Sequence, residues 1–222
     1  MKSTPTRGVK QYLKPDAYNQ SELDWTLMTI CFINMKENHV GEAFVSDIAF
    51  VTDGTMAVVG LIAGLIDMSV NHCPNDGCLA RNELPAYNSL SLGETYFQEN
   101  ASGEEIYYRR DTKLAFGPFQ NVWGLSASTD GEFWIGAGHA YTLNLFNERT
   151  FVQFHAMTGV YENGDGHDLG GPIQFRSGIE IGYQARNGTR IGLSVDHRSN
   201  AGIYSRNPGL ETVQLRVAIP LN

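Results

Sequence analysis

The strongest constraint on the fold is a period of two in the last third of the chain. In residues 173–184, Ile173, Phe175, Ile179, Ile181 and Tyr183 share one parity. Gln174, Arg176, Gly178, Glu180, Gly182 and Gln184 share the other. In residues 210–221, Val213, Leu215, Val217, Ile219 and Leu221 alternate with Thr212, Gln214, Arg216 and Ala218. A strand points successive side chains to opposite faces, so each segment has one apolar and one polar side. Two architectures make use of such a strand. A soluble barrel or sandwich turns the apolar side inward, whereas a membrane barrel turns it outward and fills its interior with polar groups. Gln174, Arg176 and Glu180 suit a narrow polar lumen in which charges pair, and they equally suit a solvated outer face. The pattern alone leaves both open.

Turn signals divide the same half of the chain at short intervals. They are Gly117-Pro118, Asp130-Gly131, the run from Asn163 to Gly166, Asn187-Gly188 and Asn207-Pro208-Gly209. This spacing predicts an antiparallel meander. Seven strands are expected at about 104–116, 119–128, 132–144, 150–161, 172–186, 189–199 and 210–220, with an eighth from the N-terminal part. Residues 103–222 therefore form the expected barrel core. Residues 1–22 read as a flexible arm, and residues 23–102 as an extension that supplies at least one strand and a candidate helix.

Composition narrows the partners. A formal net charge of −8 with no Lys/Arg cluster excludes nucleic acid as a ligand class. The longest apolar run, Met56–Ile66, has 11 residues, fewer than the roughly 20 a spanning helix needs. It reads as a buried helix or strand, with the apolar core of a displaced leader as the alternative. The first twenty or so residues are polar and lack the apolar segment of a secretory leader. Cys73 and Cys78 could close a small disulfide loop or stand as free thiols, and His72 alone adds too few ligands for a metal.

The chemistry concentrates in one segment. In 189–199, Leu193, Val195, His197 and Ser199 share a parity, so an imidazole and a hydroxyl project from one side near a strand end. Positions two apart on a strand stand roughly 6–7 Å from each other. Glu211 has the parity of Val213 and Leu215 on the next strand, and antiparallel pairing can bring it beside His197. A hydroxyl, a base and an acid that fixes the base's tautomer are the requirements of acyl transfer. A Glu and a His on an otherwise aliphatic face are costly unless they pair. The chain has no G-x-S-x-G elbow that would offer another nucleophile. The bland alternative is a polar hairpin, because an isolated H-x-S is common.

The segment His197-Arg198-Ser199-Asn200, followed by Asn207 and by Gly209-Leu210-Glu211, resembles the H-x-S-N and spaced Glu of the PagL-type lipid A 3-O-deacylases. The resemblance extends loosely over residues 103–222. It implies an all-β fold, an eight-stranded antiparallel up-and-down barrel of the transmembrane type with an extra N-terminal segment. The apolar parity and the site would then face outward. It further implies Ser199 as nucleophile, His197 as general base and Glu211 as the orienting acid. Asn207 and the Gly202 N–H are the implied oxyanion donors, with Asn200 supporting them. No metal or cofactor is implied. The implied ligands are the acyl chains of lipid A and outer-membrane lipid, at the outer membrane of a Gram-negative bacterium. A second copy of the chain or a membrane-complex subunit is a further candidate partner. Two other readings stand beside this one, a non-catalytic structural or accessory barrel subunit and a soluble lipid-binding barrel.

Other polar features read as structural. His155 lies in a strand with apolar residues on both sides and is expected to be packed. The run from Gly164 to Gly171, with Asp165, His167 and Asp168, reads as a glycine-rich hairpin loop in preference to a metal loop. Trp25, Trp123 and Trp134 are compatible with interfacial aromatic belts.

Overall fold

The computed structural model describes residues 54–222 except 76, 99, 146–148 and 222. The expected arm at 1–22, the first part of the extension, Trp25 and Cys31 lie outside the described residues. Among the described residues nine strands follow one helix: β1 Arg81–Glu83, β2 Ala86–Phe97, β3 Asn100–Phe116, β4 Phe119–Ser128, β5 Phe133–Leu145, β6 Thr150–Glu162, β7 Ile173–Gln184, β8 Arg190–Ser199 and β9 Leu210–Leu221. Strands β2 to β9 pair antiparallel in sequence order, and β9 pairs back onto β2, which closes an eight-stranded barrel. The short β1 lies outside the closed set, on the end of β3.

The expected strands match β3 to β9 to within a few residues. The eighth is β2, so the barrel starts at Ala86 and the expected boundary at 103 falls inside β3. Only Leu90 and Leu92 mark the outward aliphatic face of β2, too little alternation to identify it beforehand.

The barrel is polar inside and apolar outside. Leu90, Leu92, Ile106, Ile135, Val160, Ile181, Leu193 and Ile219 are exposed. Four fully buried arginines fill the lumen opposite four carboxylates. Arg176 donates from Nε to Asp196 at 2.7 Å and from its terminal nitrogen to Glu105 at 2.7 Å. Arg198 also pairs with Glu105, Arg109 pairs with Asp111 at 2.7 Å, and Arg216 pairs with Glu180 at 2.8 Å. Arg176 and Glu180 share a face, as the alternation requires, but each finds its counter-ion on another strand. The Arg176 guanidinium also lies 3.8 Å over the ring of Tyr107. A luminal cavity between Tyr87, Arg109 and Arg216 measures about 10 Å³, room for at most one water, so that stretch of the interior is packed.

Two aromatic expectations divide. Trp123 is 40% exposed on the outer wall, but Trp134 is fully buried in the lumen, where its Nε1 donates to the Gln174 carbonyl. Trp134 has the inward parity of its strand and cannot belong to an outer belt. His155 is fully buried, as a packed histidine should be, with Nε2 3.6 Å from Asp196.

The apolar run at 56–66 is the helix α1, Thr55–Asp67. A π-helical turn, Met68–His72, prolongs it, and the disulfide Cys73–Cys78 follows. It is not an interior element. Ala57, Gly60 and Gly64 seat it on the outside of the barrel, while Val58, Val59, Ile62 and Ile66 are exposed. A Cβ at Gly60 would run into the Phe154 ring, and one at Gly64 would lie 2.8 Å from Phe119 and 2.9 Å from Tyr141. Small residues three and four apart share one helix face and let the backbone approach the wall. With the π-turn, Thr55–His72 is long and apolar enough by length and composition to cross a membrane.

Removing Arg176 takes from Asp196 its arginine and from Glu105 one of two, so two buried carboxylates each lose a counter-ion. Arg176→Ala should therefore lower the unfolding free energy of the folded barrel by about 3–5 kcal/mol, measured by urea titration in lipid vesicles. A loss below about 1 kcal/mol, the scale of a surface pair, would show that the luminal charges are not coupled as described.

Candidate active site

The site lies on the outer wall near one end of the barrel. Strands β8 and β9 run antiparallel in a register that sets His197 directly opposite Glu211. Their side chains meet, with His197 Nδ1 3.2 Å from Glu211 Oε1. Both are partly exposed, His197 at 18% and Glu211 at 24%. Neighbouring outward residues of the same strands are aliphatic, so this pair interrupts an apolar wall. Among the described residues, His197 is the one group within hydrogen-bonding distance of Glu211.

Ser199 projects from the same face two residues further along β8, opposite Phe175 of β7. Its hydroxyl makes no hydrogen bond among the described residues. The structure therefore brings His197 and Glu211 into contact and leaves Ser199 beside them without closing the serine–histidine bond. With Nδ1 directed at the carboxylate, Nε2 is the nitrogen left for a hydroxyl. Catalytic hydrogen bonds of this kind are often loose until substrate binds.

The connection after β8 is organised by Asn200. Its fully buried side chain donates to the carbonyls of Leu169 at 2.8 Å and Arg206 at 2.6 Å. Its Oδ1 accepts from the Gly202 N–H at 2.9 Å, and its own N–H donates to Asn207 Oδ1 at 2.9 Å. A tight turn results, closed by Ile203 N–H to the Asn200 carbonyl at 3.0 Å, with Ala201 and Gly202 at φ 51° and 77°. The Gly202 N–H is thus occupied, and an oxyanion would have to displace Asn200 Oδ1 to receive it. Asn207, the other expected donor, presents its oxygen to the loop backbone.

Three neighbours of His197 were not assigned a place against its ring from the sequence, although Gly209 was noted there as a turn residue. Ser177 on β7 pairs with His197 across the strands. Gly209 presses on the ring from the loop, where a Cβ would stand 3.1 Å from Cε1. Gly54, at the start of α1, lies on the other side, where a Cβ would stand 3.4 Å from Cδ2 and 3.0 Å from Ser177 Oγ. The parity of Ser177 was legible, but not the register that sets it beside His197. The approach of Gly54 left no sequence signal.

The glycine-rich loop at 164–171 forms its own network. His167 contacts Glu132 through Nδ1 at 3.3 Å and stacks on Phe97, and Asp168 pairs with Arg206 at 2.9 Å. These groups are committed to neighbours and do not converge on a common point.

Residues 89–220 match the family model described as lipid A 3-O-deacylase (PagL). The chain belongs to the PagL family. A curated relative, the lipid A deacylase PagL of Bordetella bronchiseptica, is 33% identical over 97 residues, 43% of this chain. The aligned part spans about half, 48%, of that relative. The crystal structure of the outer membrane enzyme PagL superposes with a TM-score of 0.51 at 19% identity, covering 61% of this chain and 99% of that one, and supports the barrel fold. Neisserial surface protein A superposes with a TM-score of 0.45 at 9% identity, covering 64% of this chain and 99% of that one.

The Asn200 hub gives a local prediction for this member of the PagL family. Asn200→Ala leaves the Arg206 carbonyl and the Gly202 N–H without partners, at a cost of about 1–3 kcal/mol for each group that stays buried, while the Leu169 carbonyl keeps Gln174. Opening should be confined to the connection. Limited proteolysis should cut within residues 200–209 about tenfold faster than in wild type, with the barrel intact. Unchanged cleavage would remove Asn200 from this role.

Proposed function

We propose that this chain is a serine esterase that hydrolyses the ester-linked acyl chain at the 3-position of lipid A in the outer membrane of a Gram-negative bacterium. The observation that carries the reading is the His197–Glu211 contact on an otherwise aliphatic outer wall, beside Ser199 in the H-x-S-N segment. PagL family membership supports the reaction class and substrate.

In this reading the apolar outer face lies in lipid, and the site sits where an ester near the headgroup boundary can reach it. Glu211 holds Nδ1–H, which fixes the tautomer and leaves Nε2 as the base. His197 Nε2 takes the proton from Ser199 Oγ as the oxygen attacks the ester carbonyl. The tetrahedral intermediate collapses with cleavage of the bond to the sugar oxygen, which receives the proton from the imidazolium. Water, deprotonated by His197, then attacks the acyl-serine, and the fatty acid leaves as Ser199 recovers its proton. Asn207 and the Gly202 N–H are the proposed donors to the oxyanion, with Asn200 positioning them. Low polarity around the wall strengthens those donor–oxyanion interactions.

Mass spectrometry of lipid A from cells expressing wild type should show loss of the 3-linked chain. Ser199→Ala should abolish that loss, and His197→Asn should slow it by about 10²- to 10⁴-fold, the usual contribution of a general base. Full deacylation by either variant would overturn the triad. Intact lipid A with wild type, together with a partner that co-purifies with it, would favour the accessory-subunit reading.

A further inference from the structure

The outer wall carries a polar cluster at the end away from His197. Asn88 of β2 has the outward parity of Leu90 and Leu92, and Arg110 of β3 stands opposite it in the register. Arg110 Nη1 donates to Asn88 Oδ1 at 2.8 Å, and the Tyr108 hydroxyl donates to the same oxygen at 2.9 Å. Trp123 of β4 pairs with Arg110 across the strands, and its ring lies 5.6 Å from that of Tyr108. Between this cluster and the other end the wall continues through Leu90, Leu92 and Ile106, all exposed. Depth follows from the register. Asn88 faces Ile219 of β9, eight residues beyond Glu211. That length of strand is about 27 Å. It covers roughly 20 Å of depth at the usual tilt of about 40°. The apolar band of a membrane barrel is about 25 Å tall. The cluster and the His197–Glu211 pair therefore stand near opposite boundaries of that band.

We propose that Arg110, Asn88 and Tyr108 bind the phosphate of an anionic phospholipid in the leaflet opposite the one that meets His197. The inference rests on the apolar wall lying in lipid, one part of the proposed function, and not on the esterase chemistry. Charge selects the ligand. Arg109, the preceding residue, turns inward and pairs with Asp111 at 2.7 Å. Arg110 turns outward, and its one hydrogen-bond partner among the described residues is the neutral Asn88. A cation on the lipid face is costly at mid-depth but not near a boundary, where headgroup phosphates can serve as its counter-ion. Asn88 holds Nη1 against the wall, which leaves Nε and Nη2 to donate. These two form the fork of a guanidinium that matches two phosphate oxygens. Asn88 keeps Nδ2 as a further donor. Tyr108 and Trp123 set amphipathic rings at the same boundary, the depth at which such rings settle. A phosphate thus fixes the barrel in one leaflet while the proposed site works in the other.

The test is native mass spectrometry of the full chain in non-ionic detergent micelles, titrated with phosphatidylglycerol, phosphatidylcholine or lipid A. Folding is checked by the heat-dependent shift of the barrel on gels. Wild type should retain phosphatidylglycerol in preference to phosphatidylcholine. Arg110→Gln should lower that retention about tenfold, the scale of losing a hydrogen bond to a charged group. Asn88→Ala should lower it by less, and Arg206→Gln, an exposed cation at the other end, should leave it unchanged. Excess inorganic phosphate should not displace the lipid. Unchanged retention in folded Arg110→Gln, or an equal loss in Arg206→Gln, overturns the proposal. Displacement by inorganic phosphate would mean a free-anion site, and preference for lipid A through Arg110 would place the site in the wrong leaflet; either overturns it as well. Absent hydrolysis of lipid A by wild type would sink the esterase reading alone. Solubility of the full chain without detergent would sink the lipid-facing wall, and this site with it.

Discussion

Pairing of the luminal arginines holds the rest of the structure in place. Arg109, Arg176, Arg198 and Arg216 are fully buried, and each meets a carboxylate carried by an inward position of the barrel. A shift of one residue in the register of any strand would turn its charges onto the outer face and its aliphatic residues into the lumen. The charges therefore specify both the register and the side on which the apolar residues stand. His197 faces outward because Asp196 and Arg198, its neighbours in β8, are committed to the lumen. Asp196 accepts from Arg176, from Gln214 at 2.7 Å and from Ser194 at 2.6 Å. The position of the proposed site is in this sense a consequence of the interior ion pairs.

Much of this was legible in the sequence, and the legible part has one physical origin. Alternation survives in any strand whose two faces meet different surroundings, so β7, β8 and β9 could be sorted residue by residue, and His197, Ser199 and Glu211 could be assigned to one face. Opposition of His197 and Glu211 needed only the assumption of an adjacent antiparallel pair. Partners across the lumen were not legible. Arg176 meets Glu105 from the far side of the barrel, at a separation no local pattern encodes. The hidden strand β2 and the inward Trp134 belong to the same class, since each is fixed by closure of the barrel and not by its own segment.

The helix α1 shows how composition can mislead when the surroundings are apolar. A run such as Met56–Ile66 suggests an interior element if water is the only alternative. On the outer wall of this barrel the same run can be apolar on both sides, against Phe154 and Tyr141 on one and outward on the other. What marks its seat is the placement of Ala57, Gly60 and Gly64, which present no side chain beyond a methyl to the aromatic rings beneath them. Phe154 explains the matching puzzle in β6, where both parities carry apolar residues. Phe151 and Met157 fill the lumen, while Phe154 is covered from outside by the helix.

The two histidines on β6 and β8 separate structure from proposed chemistry. Each lies near a carboxylate, His155 near Asp196 and His197 near Glu211. His155 is enclosed by charged neighbours in a packed interior, and its carboxylate is saturated by other donors. A substrate cannot reach it, and its proton has no partner to serve. His197 has a carboxylate dedicated to it, a hydroxyl two residues away and a side chain 18% exposed on an apolar wall. An imidazole and a carboxylate meet in both places. What distinguishes them is access, together with the number of competing partners around the carboxylate. On both counts the proposed general base is the residue on the outer wall.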